Sequence, residues 1–94
     1  LHYLLYNKLM SDELKNLKKK IIYRSSYRGT KEMDILLTSF VRKYLDNLDE
    51  KELNDLLFFL DLEDELIFNF YQHGIKSKEI INNKISSLFK DFKI

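Results

Sequence analysis

The sequence contains no cysteine, no proline, no tryptophan and no alanine, and only two glycines among 94 residues. Without cysteine no disulfide staples the fold and no thiolate is present to act as nucleophile. Without proline, and with glycine only at positions 29 and 74, the chain has few helix breakers. A charge of one sign is also lacking: 16 Lys and Arg stand against 15 Asp and Glu, a formal net of +1. That balance excludes a chain that is basic throughout, as a histone-like protein is, and a wholly acidic one. No run approaches the ~18 consecutive apolar residues of a membrane span, so membrane insertion is not expected.

What is present is a foldable, strongly polarised chain. Hydrophobic residues make up 45% and aromatics 14%, too much for a disordered segment, and the length suits one domain. The near-zero net charge hides a segregation. Residues 15–31 hold seven basic side chains and no acid, whereas residues 46–65 hold nine acids and one lysine. Such a domain is electrically polar, a property that bears on association without naming a partner.

The apolar spacing is helical, which predicts an all-α, compact single-domain bundle of about five helices. Residues 1–11 read as a ragged N-terminal extension, and 12–94 as the helical domain. Helix one is expected over Asp12–Ser25, with Leu14, Leu17, Ile21 and Ile22 inward. Helix two, over Thr30–Asn47, carries the longest apolar stripe, including Met33, Leu36, Leu37, Phe40, Val41 and Tyr44. Asp49 and Glu52 have the spacing of a capping box and open helix three. Helix four is expected over Glu63–Gln72, with acids in its first turn and Gly74 as its stop. Ser77 is expected to cap helix five, with Ile80, Ile81, Ile85, Leu88, Phe89 and Phe92 on its stripe.

The residues give little support to an enzyme. His2 and His73 are far apart, there is no His-x-x-x-His or Glu-x-x-His pair, and no metal site is expected. Gly29 stands outside any glycine-rich phosphate loop, and no serine lies in a Gly-x-Ser-x-Gly turn. Lys18, Lys19 and Lys20 are consecutive, so on a helix they point about 100° apart and form no single groove-reading face. The informative stretch is Arg24-Ser25-Ser26-Tyr27-Arg28-Gly29-Thr30-Lys31-Glu32-Met33-Asp34, between helices one and two. From the residues alone it is either an ordinary helix–turn–helix corner, with glycine as the turning residue, or a compact polar docking patch with one side-chain-free spot.

At this stretch Arg28-Gly29-Thr30-Lys31-Glu32-Met33-Asp34-Ile35-Leu36-Leu37, followed by Phe40, resembles the Arg-Gly-x-x-Glu-x-Asp-x-x-Leu…Phe signature of the succinate dehydrogenase flavinylation factors. These are small assembly factors of bacteria and mitochondria. The resemblance covers about residues 12–92 and includes Phe68-Asn69-Phe70 ahead of His73-Gly74, similar to a Phe-Asn-Trp…His-Gly element. The chain departs from the pattern at Tyr27, where a second basic residue is usual, and at Phe70, where the family has Trp. Both departures fall on residue types that serve as interface anchors.

The resemblance implies a chaperone-like role: promoting covalent attachment of FAD to the flavoprotein subunit of succinate dehydrogenase, and of fumarate reductase as a further target. It implies that the factor binds no cofactor stably, acts on the FAD of its partner and is not itself an enzyme. By the same resemblance Arg28 and Glu32 contact the flavoprotein, Gly29 permits close approach, and Arg24, Tyr27, Lys31 and Asp34 form the rim. The competing readings are a helical adaptor unrelated to flavin and a nucleic-acid-binding protein that uses the basic helix; nucleic acid is not the expected partner. With no Arg- and Ser-rich leader evident, a bacterial cytoplasm is expected in preference to a mitochondrial matrix.

Overall fold

The computed structural model describes residues 2–94, and their side chains except those of residues 2, 3 and 6–8. Five α-helices follow one another: α1 (His2–Ser25), α2 (Lys31–Tyr44), α3 (Glu50–Leu60), α4 (Asp64–His73) and α5 (Lys84–Asp91), with a 3₁₀ turn at Leu45–Asn47. The all-α bundle is as the apolar spacing predicts.

α1 begins at His2, ten residues before the expected Asp12. Nothing in its 24 residues interrupts it, and Leu, Met, Lys and Glu all favour helix. Its second half packs on α3 and α2 through half-buried Leu14 and Leu17 and fully buried Ile21. Ile22, expected inward, lies about 100° further round and is exposed.

α2 is capped by Thr30, whose hydroxyl accepts from the Met33 amide at 3.2 Å. It buries Met33, Leu36, Leu37, Phe40 and Val41. Its last expected turn tightens into the 3₁₀ segment. The Asp49–Glu52 capping box on α3 is present in both directions, at 2.8 and 2.9 Å. Glu52 also reaches Lys84 at 3.0 Å, joining α3 to α5. Because Glu52 accepts first from the Asp49 amide and then from Lys84, its carboxyl is held below the ordinary carboxylate range.

α4 ends at Gly74, in the left-handed conformation at φ 66°, where the Gly74 and Ile75 amides satisfy the Phe70 and Asn69 carbonyls. The expected start of helix five at Ser77 is corrected here. Ser77 makes only one turn, with the Ile80 amide bonding to its carbonyl at 3.0 Å. The helix starts at Lys84 instead, because Asn83 caps it reciprocally with Ser86. Ile80 is still buried in the core, but Ile81 faces solvent.

An aromatic cluster closes the centre. Phe89 meets Phe40 edge-on at 5.1 Å and Phe59 at 5.0 Å, and Phe92 packs on Phe40 at 5.3 Å. Phe70 belongs to this core, stacked against Phe89 and 6% exposed. The position where the resemblance has Trp is therefore an interior one, and the exposed aromatic of that element is Phe68. The Tyr71 hydroxyl donates to the Phe92 carbonyl at 2.7 Å, tying the C-terminal segment onto α4.

Candidate functional site

The corner between α1 and α2 is built around one arginine. α1 stops where the Ser25 and Ser26 hydroxyls both donate back to the Ile22 carbonyl, at 2.7 and 3.1 Å. These bonds compete with continuation of the helix. The chain then reverses at Tyr27, whose φ of 56° lies in the left-handed region. The turn is thus made by Tyr27 and not, as the sequence suggests, by Gly29. A bulky residue held there costs roughly 1–2 kcal/mol.

That turn aims Arg28 inward. Its guanidinium Nε and Nη2 both lie 2.8 Å from Asp64 Oδ1. Nη1 donates to the carbonyls of Arg24 and Leu60, at 2.8 and 2.6 Å, and Nη2 to that of Leu62 at 3.0 Å. The side chain is 12% exposed. One planar fork therefore fastens the end of α1, the end of α3, the α3–α4 link and the first turn of α4, a task that suits arginine and not lysine.

Gly29 completes the clamp. Its amide donates to the other Asp64 oxygen, Oδ2, at 2.8 Å. A Cβ built on Gly29 would stand 3.1 Å from that same oxygen. Glycine suits this position because the Asp64 carboxylate lies against its backbone. Asp34 is also internal: its carboxylate accepts from the Arg28 amide.

The seven residues expected to dock therefore divide. Arg28, Gly29 and Asp34 hold the corner together, and Arg24 pairs with Asp61 at the surface. Tyr27, Lys31 and Glu32 are exposed, Tyr27 at 85%. Tyr23 is also exposed, with its ring 6.3 Å from that of Tyr27. A hollow of about 350 Å³ lies over the clamp between these tyrosines, Leu62 and Glu63.

Sequence reasoning missed Asp61 and Asp64 as members of the corner. The signal was the charge segregation itself. Three members of the basic block meet three of the acidic block: Lys18 with Asp46 at 3.2 Å, Arg24 with Asp61, and Arg28 with Asp64. Those cations are partly neutralised within the domain, which weakens the basic helix as a phosphate-binding face.

A sequence profile described as flavinator of succinate dehydrogenase matches residues 19–93. The chain belongs to this family. The match takes in the whole corner and four of the five helices complete. Among curated relatives, the mitochondrial succinate dehydrogenase assembly factor 2 of Culex quinquefasciatus is 31% identical over 90 residues, covering 93% of this chain and 56% of that protein. The same-named protein of Komagataella phaffii is 30% identical over 77 residues, covering 82% of this chain and 38% of its own length. That of Dictyostelium discoideum is 40% identical over 58 residues, covering 62% and 41%. The chain thus spans between about two fifths and just over half the length of these relatives. No solved structure matches it.

The expectation of a bacterial cytoplasm is overturned by these comparisons. All three of these assembly-factor relatives are named as mitochondrial proteins. The absence of an evident leader was not a sound guide, since a chain that spans only part of its relatives cannot be judged by its ends. No helix among the described residues is long and apolar enough to cross a membrane.

Proposed function

We propose that this protein is a non-catalytic mitochondrial assembly factor that promotes covalent attachment of FAD to the flavoprotein subunit of succinate dehydrogenase. The observation that carries the proposal is the family match over residues 19–93, which contains the entire Arg28–Asp34 corner. In this reading FAD belongs to the partner throughout. The factor's own work is to bind the FAD-loaded, immature subunit and favour the arrangement in which the flavin and the accepting side chain meet. Holding two groups in a reactive geometry removes an entropic part of the barrier without any catalytic group on the factor. A factor that binds the reactive arrangement better than the others shifts the population toward it.

The structure supports a division of labour at the corner. The Arg28–Asp64–Gly29 clamp fixes its shape from within, and Tyr27, Lys31 and Glu32 present the outer contact surface. A rigid corner loses little conformational entropy on docking, which favours affinity. The test is co-expression of the flavoprotein subunit with and without this protein, reading covalent flavin by in-gel fluorescence. Fluorescence that rises with the factor supports the proposal; equal fluorescence in both arms refutes it.

A further inference from the structure

Next to the clamp, a trough runs between α2 and α4. It consists of two hollows of about 400 and 170 Å³ that share Glu32, Met33 and Phe68. Its floor is apolar: Met33 and Leu36 are buried, Tyr71 half-buried, and the exposed Phe68 ring forms one wall. Its rim is acidic, with Glu32 on one side and Glu65 on the other, both exposed. Neither is in an ion pair among the described residues, and no lysine or arginine lines either hollow. The third carboxylate there, Asp64, is already countered by Arg28.

We propose that this trough receives a basic side chain, by chemistry an arginine, from a segment of the flavoprotein subunit. The inference rests on the function proposed above and specifies its docking chemistry. An apolar channel between two free carboxylates suits a residue with an aliphatic stem and a cationic tip. The stem lies along Met33 and Leu36. The guanidinium lies over the Phe68 ring and between Glu32 and Glu65, where cation–π attraction and charge-assisted hydrogen bonds act together. Glu32 thereby has a defined task in docking, and Phe68 and Glu65 join the interface from α4. The trough adjoins the Tyr27–Lys31 surface, so one segment can cover both.

The test uses the full chain and the purified, FAD-loaded flavoprotein subunit. Phe68→p-benzoylphenylalanine and, separately, Tyr27→p-benzoylphenylalanine are irradiated with the subunit, and adducts are mapped by mass spectrometry. The proposal expects both positions to link to the subunit, and the position-68 adduct to fall on a peptide that contains Arg or Lys. It is overturned if position 27 links and position 68 does not, if the adduct peptide carries no basic residue, or if position 68 links only to a second copy of this chain. Failure of both positions overturns the docking reading itself. Glu65→Lys is expected to weaken subunit binding about tenfold or more, since it sets like charges against each other, and Glu65→Gln to weaken it less. Because Glu65 is exposed, the circular dichroism spectrum should be unchanged, with the thermal midpoint only slightly lowered by a lysine opposed to the α4 dipole; unweakened binding by a folded Glu65→Lys protein overturns the proposal.

Discussion

Replacing Asp64 by alanine should destabilise this domain far more than an ordinary surface acid does. The substitution removes the acceptor of two hydrogen bonds, from Arg28 Nε and the Gly29 amide, and the ion-pair partner of Arg28 Nη2. Two limits bracket the cost. Breaking a fully buried pair costs ~3–5 kcal/mol, and an exposed pair is worth ~0–1 kcal/mol. The side chains here are 12% and 27% exposed, so neither limit applies. Arg28 would also keep the carbonyls of Arg24, Leu60 and Leu62, so its charge would not be left without partners. A loss of about 2 kcal/mol follows, which for a domain of this size lowers the thermal midpoint by roughly 8–16 °C. Asp64→Asn, which retains one carbonyl oxygen as acceptor, should lose about half as much. The control is Asp61→Ala, whose pair with Arg24 is 42% and 49% exposed, and which should cost under about 1 kcal/mol. The assay is urea and thermal unfolding followed by circular dichroism, with Arg28→Ala and the double variant closing a mutant cycle. A coupling of ~1–2 kcal/mol between Arg28 and Asp64 is expected for partners in one network. Equal losses for Asp64→Ala and Asp61→Ala, or no coupling, would refute the clamp.

Gly29→Ala should cost about 1 kcal/mol instead of the ~0.4–1 kcal/mol gain usual at a compatible backbone, because its Cβ presses a carboxylate that Arg28 holds from the other side; chemical denaturation decides the sign. Tyr27→Gly should raise stability by roughly 0.5–1 kcal/mol, as relief of the left-handed strain exceeds the entropy glycine adds to the unfolded chain, and a lower thermal midpoint would contradict this. Acid should weaken the α3–α5 junction. With the Glu52 carboxyl depressed by the Asp49 amide and Lys84, its contribution is complete above the unfolded carboxyl value near pH ~4.3 and is lost as pH falls through the lower folded value. Glu52→Gln should therefore flatten the stability–pH curve in that window alone, as read by unfolding at a series of pH values.

Features set by neighbours along the chain were legible. Asp49 and Glu52 are three residues apart, so their capping box needs no tertiary information, and Gly74 ends α4 for a reason local to its own backbone. The start of α5 was not legible because two local signals compete. Ser77 and Asn83 both cap, and the structure keeps Ile80 in the core by turning once at the first and starting the helix at the second. The corner shows the larger gap. Its membership was readable from Arg28 to Asp34, but the roles were not, because Asp64 lies 36 residues from Arg28. Charge segregation was read only as polarity of the domain, and it carries no register for the meeting of the two blocks. Gly29 was read either as a turning residue or as a spot for close approach by a partner, because glycine's freedom and small size are local properties; the carboxylate that reaches it from another helix is not. Phe70 was legible as inward from helix phase, and the same phase leaves Phe68 outward.

In the proposed division of labour the clamp gives the corner its shape and the outer face docks. The most direct measurement is covalent flavin on the succinate dehydrogenase flavoprotein subunit, read by in-gel fluorescence, when the subunit is co-expressed with the double variant Tyr27→Ala and Glu32→Ala. Both side chains are exposed and lie outside the Arg28–Asp64 bonds, so the variant should fold with an unchanged circular dichroism spectrum. Fluorescence is expected to fall to the level seen without the factor. Full flavinylation by the folded double variant would contradict that division.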